Sequence, residues 1–166
     1  MNVETLEDLF GYQLQHAYYV ERTHAELLDE MATDAPSDEL GDRFAAHREE
    51  TARQIERLED VFAALGRRPR ASRARSVDGL ADARHLRDDA EGEPTVPDDL
   101  ELGLLAERLE IRSYETLVRL AGRLAYADDV VEPLETTLAE ERATLQALEE
   151  LETELSIGET MALEEA

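Results

Sequence analysis

Apolar residues recur along most of this chain at the spacing of amphipathic helices. Between the first two such segments lies DAPSD, where Pro36 and Ser37 are typical of a helix end followed by a helix start. No segment alternates apolar and polar residues at the period of a strand, so the pattern predicts an all-α fold. The predicted long helices span residues 3–32, 37–66, 98–126 and 128–155.

The connections between these helices differ in length, and the difference predicts a topology. Short turns join the first helix to the second and the third to the fourth, so each pair should form an antiparallel hairpin. The crossover between the hairpins, residues 66–97, contains a short predicted helix at VDGLADARHLRDDA. A helix of about 28 residues is roughly 42 Å long, and this crossover is long enough to travel that distance. The pattern favours a ferritin-like four-helix bundle over a plain up-down-up-down one.

The length of 166 residues suits a single domain. We expect the helical bundle to occupy residues 1–155, including the crossover. The last segment, SIGETMALEEA at 156–166, is predicted to be a flexible acidic tail.

Carboxylates interrupt the apolar stripe of each long helix. In the third helix the stripe from Leu104 to Ile111 crosses both Glu107 and Glu110. A buried carboxylate without a partner is so costly that it becomes neutral, pairs with a cation or binds a metal. The acids and imidazoles at the centres of the stripes are Glu21, His24, His47, Glu50, Glu107, Glu110 and Glu141.

Two observations favour a shared site over ordinary surface acids, although with 41 acidic residues chance placement is a serious alternative. Counted from the two hairpin turns, the central acids lie at heights that agree to about one helical turn. Surface acids in this chain tend to have an arginine three or four residues away, as Glu39 has Arg43. Glu50 has such a neighbour in Arg53, whereas Glu21, Glu107, Glu110 and Glu141 have none.

A site rich in carboxylates with one or two imidazoles suits iron or manganese better than zinc. Paired carboxylates can also bridge two ions, and two adjacent irons can pass electrons to O2 or H2O2. The sequence therefore predicts a site for two iron ions, with manganese as an alternative. Tyr18 and Tyr114 lie one turn from these acids, where they are either core aromatics or hydrogen-bond donors to the ligands. His16 and His85 are assigned no function.

Composition narrows the classes of partner and site. The chain has no cysteine, which excludes disulfides and cysteine-based zinc sites. Its formal charge is −24 and all 17 basic residues are arginine, so nucleic acid and anionic membranes are poor partners. The arginine-rich RRPRASRAR at 67–75 is interpreted as a counter-charge for neighbouring acidic helices, with a nucleic-acid patch as the alternative. Without an apolar run long enough for a membrane span, we expect a cytoplasmic protein.

The acidic composition without lysine resembles that of proteins from halophilic, high-salt cytoplasms, and it makes a prediction about stability. Self-repulsion at a charge of −24 should destabilise the bundle when screening is weak. The melting temperature is therefore expected to rise from low ionic strength to molar KCl. A melting temperature that does not depend on KCl would contradict this prediction.

The sequence also resembles the YciE/YciF-like ferritin-like proteins, bacterial and archaeal relatives of rubrerythrin and ferritin. The resemblance covers residues 3–155 and is carried by LEDLFGYQLQHAYYVE, FAAHREETARQIERLEDVFAALGRRP, VDGL, LEIRSYETL and LAEERATLQALEEL in this order. It implies a ferritin-like bundle, often a homodimer, with a role in stress responses and ferroxidase activity. The metal-site residues that it implies are Glu21, His47, Glu50, Glu107, Glu110 and Glu141.

The chain departs from the family pattern at two places. Arg108 stands where many relatives have a histidine, and Leu145 replaces a later acidic residue of the fourth helix. Thr144 occupies the position of the histidine in the E-x-x-H motif of ferritins, and His24 is expected to substitute from the first helix. The predicted site is thus poorer in imidazole than that of rubrerythrin.

The function predicted from these residues is that of a di-iron ferroxidase, which oxidises Fe(II) with O2 or H2O2 in protection against oxidative stress. Glu21, Glu50, Glu107 and Glu141 are the predicted principal ligands, with Glu110 either bridging or alternating as a ligand, and with His24 and His47 completing the site. The alternative is a non-enzymatic, dimeric, stress-associated bundle that has lost its metal. Its central acids would instead pair across helices with Arg53, Arg108 or Arg112.

Overall fold

The fold consists of five helices. The computed structural model describes residues 3–91 and 96–164, with side chains at 3–86 and 98–155. The helices are α1 (Leu6–Asp34), α2 (Asp38–Ala64), α3 (Arg75–Glu91), α4 (Val96–Leu124) and α5 (Asp128–Glu164). No strand occurs in the described ranges, and the predicted all-α bundle is confirmed.

The helix ends follow from local hydrogen bonds. Thr5 caps α1 in a capping box, in which the Thr5 hydroxyl accepts from the Asp8 N–H and the Asp8 carboxylate accepts from the Thr5 N–H, both at 3.0 Å. The helix therefore begins at Leu6 and not at the predicted residue 3. At the end of α2, Gly66 adopts the left-handed conformation with φ 66, which a glycine tolerates without strain.

The long helices form the two predicted hairpins. α1 packs against α2, and α4 against α5; α1 also contacts α4, and α2 contacts α5, which closes a four-helix bundle. The crossover helix α3 begins two residues before its predicted start and packs on α1 and α4. The short helix predicted in the crossover is therefore present, and it lies against one side of the bundle.

Helix α5 is longer than predicted. It continues past residue 155 to Glu164, because SIGETMALEEA contains no proline and is rich in good helix formers. The flexibility predicted for 156–166 stays a prediction, and residues 165–166 lie outside the described part of the chain.

The two largest apolar clusters of the described residues lie on either side of a polar layer. One cluster contains Phe10, Leu14, Phe62 and Leu117, and the other contains Leu28 and Phe44. Along α1, for example, Ala17 belongs to the first cluster and Leu27 to the second. The acids and imidazoles of the stripes lie between these two cores. Across the described residues, no helix is both long enough and apolar enough to span a membrane.

Candidate metal centre

The polar layer brings four carboxyl groups and two imidazoles together inside the bundle. Each of the four long helices contributes at least one of them, because all lie near the middle of their helices. Five of the side chains have a residue exposure of 1% or less, namely Glu21, His24, Glu107, Glu110 and Glu141. His47 is the sixth member, with 10% of its side chain exposed. We call these six residues the central cluster.

Five of the six residues of the central cluster form two groups of three that share one member; Glu21 belongs to neither group. One group contains His24, His47 and Glu107, and the other contains Glu107, Glu110 and Glu141. Within each group, one ligand atom from each residue lies within 4.8 Å of the others. Glu107 belongs to both groups, so its carboxylate occupies the position between them.

Most oxygen atoms of the cluster have no hydrogen-bond partner. Both oxygens of Glu107 and of Glu141 are buried and unpartnered, as are Oε2 of Glu21 and Oε2 of Glu110. The Nε2 atoms of His24 and His47 also lack a hydrogen bond. Buried polar atoms are almost always satisfied in folded proteins, so such a concentration of unpartnered atoms indicates a missing binding partner. A metal cation that binds oxygen and nitrogen ligands would satisfy these atoms.

Two hydrogen bonds orient members of the cluster. The Tyr114 hydroxyl donates to Oε1 of Glu21 at 2.5 Å, and Nδ1 of His24 lies 2.8 Å from Oε1 of Glu110. The second contact leaves Nε2 of His24 as the free ring nitrogen, an arrangement common in histidines that bind metals. Tyr114 therefore has the donor role that its spacing allowed. Tyr18 does not, since its hydroxyl donates to Glu59 at 2.7 Å.

The electrostatics of the cluster keep it neutral in the absence of a cation. Burial raises the pKa of Glu110 to about 8 and, together with the charges of Glu110 and Glu107, that of Glu141 to about 12. Burial, followed by the neighbouring carboxylates, also raises the pKa of Glu21 and Glu107 well above the usual range. Carboxyl groups that share a dry site hold protons because their charges repel one another.

The imidazoles are neutral at physiological pH. Burial lowers the pKa of His24 to about 4, and burial with the charge of His24 lowers that of His47 to about 3. The 2.8 Å contact of His24 with Glu110 and the 3.3 Å contact of His47 with Glu107 are therefore not ion pairs at neutral pH. A neutral imidazole is the form that binds a metal ion.

No arginine neutralises the central cluster in the part of the chain whose side chains are described. Arg108 points outward and pairs with Glu149 at 3.1 Å, and Arg112 is exposed. Arg53 is exposed on the surface of α2. The cross-helix pairing that the non-enzymatic alternative requires is therefore absent here.

Glu50 lies apart from the two groups. It is half-buried on α2, one turn from His47, and both side chains line an open groove between α2 and α5. The predicted role of Glu50 as a principal ligand stays a prediction.

The structure also contains polar residues that sequence reasoning did not assign. Thr51 Oγ1 and Gln54 Oε1 are buried without a partner, and Gln54 Nε2 donates to Glu140 at 3.3 Å. Arg57 donates to both oxygens of Glu140, at 2.5 and 2.7 Å. Gln54 lies four residues after Glu50, on the same face of α2, and this spacing was the sequence signal for the inward position of Gln54. The pairing of Arg57 with Glu140 depends on the register of α2 against α5, which the sequence alone does not supply.

Departures from the family pattern have simple structural outcomes. Leu145 packs with Leu100, Leu104 and Leu148 in an apolar cluster, so its surroundings suit a leucine rather than an acid. Thr144 lines the groove between α2 and α5. Neither Arg108 nor Leu145 places a side chain among the carboxylates.

Comparison with known proteins places the chain in a family. Residues 5–160 match the model of a domain of unknown function, DUF892. Over 147 residues the chain is 31% identical to protein YciF of Escherichia coli (strain K12), which covers 87% of this chain and 88% of that protein.

Two solved structures are similar over nearly the whole chain. YcfI from Rhodopseudomonas palustris aligns with a TM-score of 0.83 and 33% identity, covering 89% of this chain and 95% of that one. The E. coli stress protein YciF aligns with a TM-score of 0.81 and 30% identity, covering 90% and 95%. The predicted resemblance to YciF-like proteins is confirmed. The chain belongs to the DUF892 family and is a homologue of YciF.

Proposed function

We propose that the central cluster binds two iron ions and that the protein is a ferroxidase, which oxidises Fe(II) with O2 or H2O2. The observation that carries this proposal is the set of six buried carboxylate oxygens without a partner, in a layer that no described arginine neutralises. A cluster of this kind is expensive to bury unless a cation completes it. Divalent ions would displace the protons that the carboxyl groups otherwise hold.

The two groups of ligand atoms suggest how the residues divide between the ions. His24, His47 and Glu107 would hold one ion, and Glu107, Glu110 and Glu141 the other. Glu107 is thus the shared ligand, a role that the sequence pattern gave to Glu110. Glu21, oriented by Tyr114, lies beside Glu110 and would complete the second group. Iron suits this mixture of oxygen and imidazole ligands, and manganese is the alternative.

The reaction requires two electrons from two Fe(II) ions. Each Fe(II) would lose one electron. H2O2 would take up two electrons and two protons to give two molecules of water, or O2 would take up the same two electrons and two protons to give H2O2. The two protons would come from solvent, because the carboxyl groups of the cluster release their own protons when the ions bind. The two apolar cores above and below the layer limit the access of bulk water.

The physiological role that fits this chemistry is protection against oxidative stress, since consuming Fe(II) and peroxide together removes the reactants of radical formation. The description of YciF as a stress protein supports this role. The same resemblance suggests a homodimer in the cytoplasm. A non-enzymatic bundle is the less favoured function, because its central acids would need the arginine partners that the described side chains lack.

Aerobic oxidation of Fe(II), followed in the near ultraviolet, tests the activity. We expect the protein to oxidise Fe(II) faster than buffer, with H2O2 or O2 as the oxidant. Glu141→Gln should reduce the rate to that of buffer, because it removes a ligand oxygen that has no other partner. A wild-type rate no higher than that of buffer with both oxidants would contradict the proposed activity.

A further inference from the structure

The central cluster is almost sealed from solvent, so an ion needs a route to it. Glu21, His24, Glu107, Glu110 and Glu141 are each exposed by 1% or less. His47 is the cluster member that contacts solvent, with 10% of its side chain exposed. Its exposed edge therefore marks the side of the bundle where the cluster is nearest to water.

His47 opens onto a groove between α2 and α5. The groove has a volume of about 890 Å³, and we call it the α2–α5 groove. Its α5 wall contains Ala139, Ala143 and Ala147, whose small side chains leave open space between the two helices. Its α2 wall contains both His47 and Glu50. The groove thus connects the surface to the imidazole at the edge of the cluster.

Two carboxylates line this groove, and they differ in their partners. Glu140 is held by Arg57 through both oxygens and accepts from Gln54, which neutralises it and fixes its position. Glu50 is half-buried and makes no hydrogen bond or ion pair with the side chains that the structure describes. Glu50 is therefore the carboxylate of the groove that is free to receive a cation.

Glu50 also lies near the carboxylates inside. Burial raises the pKa of Glu107 and of Glu141, and the charge of Glu50 contributes to both increases. On α2, Glu50 follows His47 by one turn, so the two side chains share a face of the helix. An ion bound at Glu50 would thus lie beside His47, the cluster member that reaches the groove.

We propose that the α2–α5 groove is the entry route for divalent metal ions and that Glu50 captures them before they pass His47 to the buried groups. This inference rests on the proposed function, because it assumes that the central cluster binds the ions. It gives Glu50 a role distinct from that of the buried ligands: it controls the rate of loading more than the number of ions bound.

The charges in the groove make the proposal specific. Two arginines also line the groove: Arg43, which is paired with Glu39 at 3.1 Å, and the exposed Arg53, three residues after Glu50. A cation at this position slows the approach of a second cation, because like charges repel. Removing Arg53 should therefore have the opposite effect from removing the charge of Glu50.

Binding of Co(II) under anaerobic conditions, followed by stopped-flow absorbance, tests the route without any oxidation. Glu50→Gln keeps the shape of the side chain and removes its charge. We expect it to slow Co(II) binding by about tenfold or more, in line with the effect of local charge on association rates. The number of ions bound at equilibrium should not change. Arg53→Gln should speed binding at low ionic strength.

A matched pair of alanines tests the path itself. Ala46 lines the groove, and its neighbour Ala45 is exposed outside it. Ala46→Phe should slow Co(II) binding by filling the groove, whereas Ala45→Phe should leave the rate unchanged. Equal rates in wild type, Glu50→Gln and Ala46→Phe would overturn the proposed route. Loss of bound ions in Glu50→Gln would overturn the capture role and make Glu50 a ligand. Failure of the wild-type protein to bind Co(II) at equilibrium would contradict the proposed function instead.

Discussion

Glu107→Ala is expected to abolish metal binding while the protein stays folded. Glu107 is the member of the central cluster that belongs to both groups of ligand atoms, and neither of its oxygens has another partner. Its loss should reduce metal affinity by more than the roughly 10- to 100-fold typical of residues that only orient ligands. Isothermal titration with Fe(II) in the absence of oxygen measures the affinity, and far-ultraviolet circular dichroism measures the helix content.

Two further variants separate the ligand role of Glu107 from its packing. Glu107→Gln keeps the volume of the side chain and should also lose metal, which excludes a cavity as the cause. Glu101→Ala removes an exposed acid from the same helix and should bind metal like the wild type. Unchanged iron stoichiometry in Glu107→Ala would show that Glu107 is not a shared ligand. Loss of helix content in Glu107→Ala would instead indicate a structural role.

The metal-free protein is expected to lose stability as pH rises from 6.5 to 8. Burial raises the pKa of Glu110 from 4.5 to about 8, and burial with neighbouring charges raises that of Glu141 to about 12. In this window the folded state holds these protons and the unfolded state releases them, so rising pH favours unfolding. Each released proton lowers the free energy of unfolding by about 1.4 kcal/mol per pH unit.

The buried histidines do not obscure this trend. The folded pKa of His24 is lowered from 6.5 to about 4, so its contribution to stability is complete above pH 6.5 and is lost only as pH falls below that value. The same holds for His47, with a folded pKa of about 3. The decrease between pH 6.5 and 8 therefore reports on the carboxyl groups.

Urea denaturation of chelator-treated protein at several pH values between 6.5 and 8 measures this trend. Glu110→Gln should show a smaller decrease, because an amide has no proton to release. Protein saturated with metal should show a much smaller decrease, because its carboxyl ligands have already lost their protons in the folded state. A free energy of unfolding that is constant over this range in the metal-free wild type would show that the cluster is not buried as described.

Much of the fold follows from the sequence because its helices are long and strongly periodic. The two hairpins and the long crossover between them were predicted from the apolar stripes and the unequal connections. The exact ends of the helices were harder to predict. The capping box of Thr5 with Asp8 starts α1 later than the apolar pattern does, since Val3 continues the pattern outside the helix. The continuation of α5 past residue 155 depends on weak propensities without a clear stop signal.

The candidate site was predictable as a layer but not in its internal arrangement. Carboxylates on an apolar stripe indicate burial, and this holds for Glu107 and Glu110. Tyr18 and Tyr114 each lie about one turn from an acid of their own helix, yet only Tyr114 contacts the cluster. Small rotations of a helix decide such contacts, and a periodic pattern does not resolve them. For the same reason, the sequence pattern did not show that Glu50 lies at the edge of the cluster.

The most direct test of the central claim is the metal content of the protein. Mass spectrometry of protein purified without chelator in molar salt, and again after anaerobic loading with Fe(II), gives the number of ions per chain. We expect two ions per wild-type chain after loading and none in Glu107→Ala. A wild-type chain that binds no metal after loading would contradict the account, and the unpartnered carboxyl groups would then have to be explained as a neutral, proton-sharing layer of a structural protein.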